Sequence, residues 1–319
     1  MAVFTQVSAE QVDLFLENFD AGNLISLKGI AEGVENSNFL LETDKARYIL
    51  TIYEQRVDVN DLPYYISLLD HLSTSNCPVP AFIKDKSGNV VQQIAGKSAC
   101  LIEFMEGVSL QHPTEKLALE AGKAMGQMHL AAHGFTQQRE NKMGQAHWAN
   151  LLASCEKEAR DSFGDELIDN MKLECGFLEA YWPKSLPKST IHADYFPDNL
   201  LILNEKVNAI IDFYFACSDI ALFDVAIAHS AWSFHSETNI YQENIGNMFL
   251  LGYQQHRILS DEEKTMFTIL CRGASMRFFL SRLYDWINTP PSALVMRKDP
   301  LIYYRRLQHY IEHGVKWPN

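Results

Sequence analysis

Apolar and polar positions alternate in two different rhythms along this chain, and the point where one gives way to the other divides it. Val12, Phe15, Leu16 and Phe19 recur at helical spacing behind Ser8 and Gln11, a capping-box pair, which predicts an amphipathic opening helix. Short β-type runs follow at 24–30, 38–43 and 47–53; the polar Thr43-Asp44-Lys45-Ala46 between the last two predicts an antiparallel meander. A helix over about 61–73 takes Pro63 into its first turn, and Pro78-Val79-Pro80 ends it. Strands are predicted again at 81–83, at 90–94 after the Ser87-Gly88-Asn89 turn, and at 99–105.

Beyond Glu106-Gly107 the period changes from two to 3.6, with helices predicted over 114–132, 148–160 and 166–182. Short strands at 189–192, 200–203 and 209–213 are set among further helices at 221–234 and 241–256. Ser260 and Glu263 form a second capping box, opening a long helix through Trp286, and a last helix covers about 300–313. The pattern predicts an α+β chain of two lobes. Residues 1–105 form an N-terminal lobe with an antiparallel sheet plus helices, a hinge lies at about 103–108, and 106–319 form a larger, mainly helical C-terminal lobe.

Composition narrows the function classes. At 319 residues and 47% hydrophobic content there is ample material for a folded interior. The 27 basic and 40 acidic residues leave a net charge of −13, and no Lys/Arg block offers a stripe for tracking phosphates, so nucleic acid is not the expected partner. No apolar run approaches the 18 or so residues of a membrane span, and the first basic residue is Lys28, so no basic n-region precedes an apolar signal core; the expectation is a cytoplasmic chain. The six cysteines fall without any C-x-x-C pair and read as reduced, mostly buried thiols, with neither disulfides nor a zinc site.

The candidate chemistry sits in His192-Ala193-Asp194-Tyr195-Phe196-Pro197-Asp198-Asn199, followed thirteen residues after the Asn by Asp212 in Ile210-Ile211-Asp212-Phe213. Phosphoryl transfer to an alcohol needs a carboxylate to accept the hydroxyl proton and oxygen ligands for Mg²⁺ on the nucleotide phosphates. Asp194 suits the first task, and Asn199 and Asp212 the second. His192 is assigned a structural place in the loop, since the reaction needs no second base. The bland alternative for the same residues is a core histidine, a turn aspartate and a capping asparagine.

This segment resembles the catalytic loop of the aminoglycoside phosphotransferase and choline kinase-like enzymes, relatives of the protein kinases. Within that superfamily the chain most resembles the homoserine kinases, through 48–54 (YILTIYE), 211–217 (IDFYFAC) and 277–286 (RFFLSRLYDW). The resemblance implies a two-lobed protein-kinase-like fold and transfer of the γ-phosphoryl group of ATP, with Mg²⁺, to the hydroxyl of L-homoserine, a step toward threonine. It also implies Asp194 as catalytic base, Asn199 and Asp212 as metal ligands, and Glu103, Phe104 and Met105 as the hinge meeting adenine. Asp224 resembles the aspartate that braces the catalytic loop, or is an ordinary first-turn carboxylate favoured by the helix dipole.

Three features leave the assignment open. Thr51 stands where kinase-like folds carry a lysine on the third strand, so either Lys28, Lys45 or Arg56 reaches the phosphates or Mg²⁺ neutralises more of their charge. The stretch 29–38, with Gly33 and Asn38, reads either as a phosphate-covering loop or as a polar hairpin turn. Arg277, Arg282 and Asp285 on the late helix, with Tyr214, are candidates for orienting an acceptor with both an ammonium and a carboxylate. The spacing of Arg282 and Asp285 equally permits a structural ion pair. Competing functions are the same chemistry on choline, a sugar or an aminoglycoside, and a silent nucleotide-binding module.

Overall fold

The computed structural model describes residues 5–30, 36–54, 58–289 and 297–318. The chain divides into two compact units, Met1–Gly107 with Asn208–Tyr214, and Val108–Val207 with Phe215–Asn319. The segment Asn208–Tyr214 thus belongs with the first unit, although it lies deep in the span assigned to the C-terminal lobe. No described helix is long and apolar enough to cross a membrane.

The first unit opens with α1 (Ala9–Leu16), where Ser8 and Gln11 form the expected capping box. Strands β1 (Leu24–Ile30), β2 (Ser37–Thr43) and β3 (Arg47–Ile52) follow, then α2 (Leu62–Thr74), β4 (Val91–Ile94) and β5 (Lys97–Glu103). The five strands form an antiparallel sheet in the order β1-β2-β3-β5-β4. Register decides its two faces, because directly opposed residues share a side. Phe39, Leu41, Leu50, Ile52 and Leu101 bury against Val12, Phe15, Leu16 and Phe19, the apolar stripe of α1 and its exit. The opposite face carries the row Lys28, Leu40, Ile49 and Ile102 and, one step along, Ile30, Asn38, Thr51 and Cys100.

The strand expected at 81–83 is reduced to a single bridge between Phe82 and Ile102. The reason is competition: β4 pairs with the same edge of β5 from Lys97 to Cys100, leaving only its far end available.

The chain continues through α3 (Glu115–Ala131), α4 (Gln145–Phe163), α5 (Asp165–Tyr181), β6 (Lys188–Ile191), β7 (Leu200–Leu203) and β8 (Lys206–Ile210). Strand β9 (Cys217–Ile220) leads directly into α6 (Ala221–Trp232), followed by α7 (Glu243–Gln254), α8 (Asp261–Asn288) and α9 (Leu301–His313). Strand β8 ends at Ile210, so the strand expected over 209–213 stops short; Asp212 takes a left-handed backbone, φ 66°, that no strand continues through. Strand β9 has no counterpart in the expected pattern. It is four residues long, carries Ser218 and Asp219 in its middle, and pairs with β6, about thirty residues earlier.

Every residue of α6 is buried, which fits its lack of a polar face. Helices α3 and α7 approach backbone to backbone: a Cβ on Gly122 would sit 2.0 Å from the Phe249 carbonyl oxygen, and one on Gly252 2.1 Å from that of Leu119. Neither contact can be relieved by a rotamer change. Gly122→Ala and Gly252→Ala are each expected to cost about 1–3 kcal/mol or more by overpacking. Urea unfolding measures this, and parent-like midpoints in both would refute the close helix contact.

Candidate active site

Strand β6 ends at Ile191, and the next three residues set the site. His192 is fully buried; Ala193 adopts a left-handed backbone, φ 64°; Asp194 follows, half-buried. The Asp194 N–H donates to His192 Nδ1 (3.2 Å), so the imidazole shapes the loop as expected. The Phe196 N–H returns to the Asp194 carbonyl (2.8 Å), and Pro197 to Asn199 form one 3₁₀ turn. That turn swings Asn199 back onto Asp194. Its Nδ2 donates to the Asp194 carbonyl (2.8 Å) and to Oδ2 (3.2 Å), leaving its side-chain carbonyl oxygen uncommitted among the described residues.

A left-handed alanine costs about 1–2 kcal/mol, so it persists only where its surroundings impose it. Asp224, in the first turn of α6 and fully buried, accepts the N–H groups of His192 (2.7 Å to Oδ2) and Ala193 (2.8 Å to Oδ1). From the other side the buried Arg277 guanidinium donates to the Ala193 carbonyl. Both Asp224 oxygens thus accept backbone N–H groups of the loop, which is more than a first-turn carboxylate's interaction with the helix dipole.

Behind Asp224 stands a residue the sequence did not single out. His129 on α3 lies 3.0 Å from Asp224 Oδ2 through Nε2 and 2.9 Å from the Tyr253 hydroxyl through Nδ1. The chain of bonds continues outward: Arg257 donates to Tyr253 (3.2 Å) and pairs with Glu263 (2.6 Å), which also closes the capping box of α8. We assign a proton to His129 Nε2, since Asp224 can only accept. The available signal was a histidine on an otherwise apolar helix face, which by itself does not separate ligand from core residue.

The two aspartates titrate in opposite directions. Burial pushes the Asp194 carboxyl up to about 6; the Arg277 charge pulls against this, and Asp198 adds to it. Burial acts on Asp224 in the same sense, yet the hydrogen bond from His129, the charges of His129 and His192, and the His192 N–H outweigh it and hold that carboxyl below its ordinary value. One carboxylate is thus locked in its charged form as structure, while the other is held near the pH range where a general base works.

The other expected site residues are distributed as follows. Arg277, one of the candidates for orienting an acceptor, donates through NH1 to the Ala193 carbonyl of the loop. Arg282 donates to the Asp299 carbonyl (3.2 Å) rather than pairing with Asp285, which is exposed. Asp212 is exposed at the end of the first unit's returning segment, and Tyr214 packs there edge-on to Tyr53 (6.0 Å) and Tyr65 (5.6 Å). Glu103 ends β5, bonded through its N–H to the Ala81 carbonyl (2.8 Å); Phe104 lies under the Arg47 guanidinium (4.4 Å). Met105 follows without regular structure, and its backbone groups make no hydrogen bond among the described residues.

Thr51, at the usual lysine position, is buried and donates to Asn38 Oδ1 on the neighbouring strand (2.8 Å), so Asn38 is engaged within the sheet. Of the alternative cations, Lys45 pairs with Asp20 beside the β2–β3 turn, and Lys28 is exposed on the sheet face opposite α1. Gly33 and Arg56 lie outside the described residues. The described residues contain no group of three or more His, Cys, Asp or Glu that could hold a metal. That is compatible with Mg²⁺, which binds through one or two protein oxygens plus phosphates.

Residues 26–260 match the model of the phosphotransferase enzyme family. The chain is 43% identical over 317 residues to a homoserine kinase of Zymomonas mobilis, covering 99% of both chains, and 44% identical to one of Xanthobacter autotrophicus, covering 97% and 96%. Among solved structures, a spectinomycin phosphotransferase in complex with ADP and spectinomycin aligns with a TM-score of 0.72 at 16% identity, over 96% of this chain and 95% of the other. Amicoumacin kinase in complex with AMP-PNP and Ca²⁺ aligns at 0.69 and 14%, over 98% and 96%. These structures share the kinase-like fold.

The raised pKa of Asp194 has a measurable consequence. A carboxyl that titrates near 6 when folded and near 4 when unfolded makes the protein less stable as pH rises through that window. At pH 8, Asp194→Asn is expected to be more stable than the parent by about 2–3 kcal/mol. The difference should shrink to about 0.5 kcal/mol near pH 4, where the folded carboxyl is neutral and the unfolded one about half ionised. Urea unfolding at pH 4 and pH 8 measures it, and a parallel pH dependence in the two proteins would refute the burial penalty.

Proposed function

This chain belongs to the phosphotransferase enzyme family, and on that premise we propose that it is a homoserine kinase. It transfers the γ-phosphoryl group of ATP to the side-chain hydroxyl of L-homoserine, giving O-phospho-L-homoserine. The observation that carries the acceptor assignment is similarity to homoserine kinases over the whole of both chains, with the loop at Asp194 intact. The rival of a silent nucleotide-binding module is motivated by Thr51 at the usual lysine position; against it stands Asp194, restrained by Asn199 and with its pKa raised to about 6.

In this reading the first unit carries the nucleotide, with Glu103, Phe104 and Met105 as the hinge meeting adenine, Met105 through backbone groups that no described residue engages, and the stretch including Gly33 and Asn38 covering the phosphates. The second unit carries the base and the acceptor. Asp194 accepts the proton of the attacking hydroxyl, and the Asn199 amide keeps that carboxylate aimed. Asn199, through its free side-chain oxygen, and Asp212 are the Mg²⁺ ligands. The metal, when bound, neutralises charge on the phosphates during transfer. The loop's hydrogen bonds to Asp224 and Arg277 fix the geometry before substrate arrives, so little reorganisation is left for the transfer itself.

An ADP-release assay with Mg·ATP and L-homoserine, D-homoserine, serine, choline and an aminoglycoside tests the assignment. Selective turnover of L-homoserine is the expected result; preference for another acceptor would overturn the substrate. Asp194→Asn is expected to lose about 10²–10⁴-fold in kcat. In the parent, kcat/KM for the acceptor should fall with an apparent pKa of about 6 as pH is lowered, following ionisation of Asp194. A profile flat from pH 8 to pH 5 would remove Asp194 from the role of base.

A further inference from the structure

Beside the catalytic loop, the second unit holds buried donors that no described residue satisfies. Tyr303 on α9 is 1% exposed, and its ring stacks on Phe278 (centroids 5.0 Å apart, planes 25° apart). Phe278 in turn meets Phe196 of the loop edge-on at 5.1 Å, two residues after Asp194. The guanidinium of Arg282 lies 4.5 Å and that of Arg306 4.7 Å from the centre of the Tyr303 ring.

Each of these groups can be followed to its partners. Arg306 is committed, donating through Nε to Asn239 Oδ1 (2.7 Å) and through NH1 to the Ser230 carbonyl (2.5 Å). Arg282 spends one nitrogen, on the Asp299 carbonyl, among the described residues. The Tyr303 hydroxyl and Arg277 Nε are buried with no hydrogen-bond partner among the described residues. A buried polar group left unpaired costs about 1–3 kcal/mol, so their persistence beside a catalytic loop points to a guest.

The chemistry of the guest follows from the donors. Every uncommitted group is an N–H or O–H, two belong to permanent cations, and the position calls for an anion with more than one oxygen. Burial raises the Tyr303 phenol pKa, and the nearest charges acting on it are those of Arg306, Arg282, Asp194 and Arg277. The hydroxyl therefore stays protonated, as a donor must, within electrostatic reach of the catalytic carboxylate. Of the two anionic reactants, the phosphates belong with the nucleotide and its metal, whereas the acceptor carries a carboxylate at one end and the reacting hydroxyl at the other.

We propose that the Tyr303 hydroxyl, with the uncommitted nitrogens of Arg282, is the carboxylate subsite for an amino-acid acceptor and so selects it over amino alcohols. This rests on the reading of the chain as a homoserine kinase. Arg282 is expected from the sequence, with Arg277 and Asp285, to orient the acceptor; of the other two, Arg277 is held to the loop by its bond to Ala193 and Asp285 is exposed.

The test is steady-state kinetics of Tyr303→Phe on L-homoserine and on 3-aminopropan-1-ol, the same chain with its hydroxyl and amine but no carboxylate. The variant is expected to lose about tenfold to a hundredfold in kcat/KM for L-homoserine, mostly through KM. Its kcat/KM for 3-aminopropan-1-ol and its KM for ATP should stay at the parent's values. Arg282→Lys, which keeps the charge and loses the fork, should move the same ratio in the same direction. Without ligands, Tyr303→Phe should melt within a few degrees of the parent, since the lost hydroxyl bonds nothing in the fold. An equal loss on both acceptors, a raised KM for ATP, or a marked loss of stability would overturn the subsite. Absence of L-homoserine turnover by the parent would instead overturn the kinase assignment, and the subsite with it.

Discussion

The Asp224 carboxylate is the interaction on which the catalytic half of the molecule rests. It is a full charge in a dry interior, which is tolerable only because both oxygens are occupied: two backbone N–H groups of the loop and the His129 imidazole. The dependence runs both ways. Without the carboxylate, the N–H groups of His192 and Ala193 would be buried and unpaired, and Ala193 would have nothing to hold its left-handed conformation. Without those donors, the carboxylate could not remain charged inside α6. Tyr253, Arg257 and Glu263 extend the same network to the start of α8, so the helix that supplies Arg277 to the loop is capped by the residue that ends the network.

That rigidity has a chemical use. Asp194 is neutral-favouring by burial and is restrained by Asn199 on one side and the Arg277 charge on the other. A carboxyl free to turn would find water and recover its ordinary acidity. Held here, it has what the proposed role of general base asks for, ionised enough to accept a proton and basic enough to keep it. Ala193 in this loop has a left-handed backbone, and the Tyr303 hydroxyl and Arg277 Nε have no hydrogen-bond partner among the described residues.

The first unit solves a different problem. Its sheet has one face packed on α1 and the other lined by Leu40, Ile49 and Ile102 beside Thr51 and Asn38. A lysine in place of Thr51 would need an anionic partner on that face; Thr51 instead bonds Asn38 and leaves the face uncharged there. Neutralising the phosphates then falls to other cations. The described residues commit Lys45 to Asp20 and leave Lys28 exposed on the relevant face.

Much of the fold was legible because the signals were local. The capping boxes at Ser8 and Ser260, the period-two runs of β1 to β3 and the 3.6-residue stripes of the later helices each depend on neighbours a few positions away. The loop was legible for the same reason, since Asp194, Asn199 and the His192 support lie within eight residues and bond to one another. What required the tertiary structure was every pairing across a long separation. Strand β9 exists because β6 offers it an edge, and 81–83 fails as a strand because β4 takes most of the edge it needed. His129 reaches Asp224 across 95 positions, and Arg277 reaches Ala193 across 84. An arginine or a histidine on an apolar helix reads the same from the chain whether it meets substrate, braces a loop or fills a core. Only the partner it finds in three dimensions separates these, because charge and hydrogen bonding act over a few ångströms of space and are indifferent to distance along the sequence.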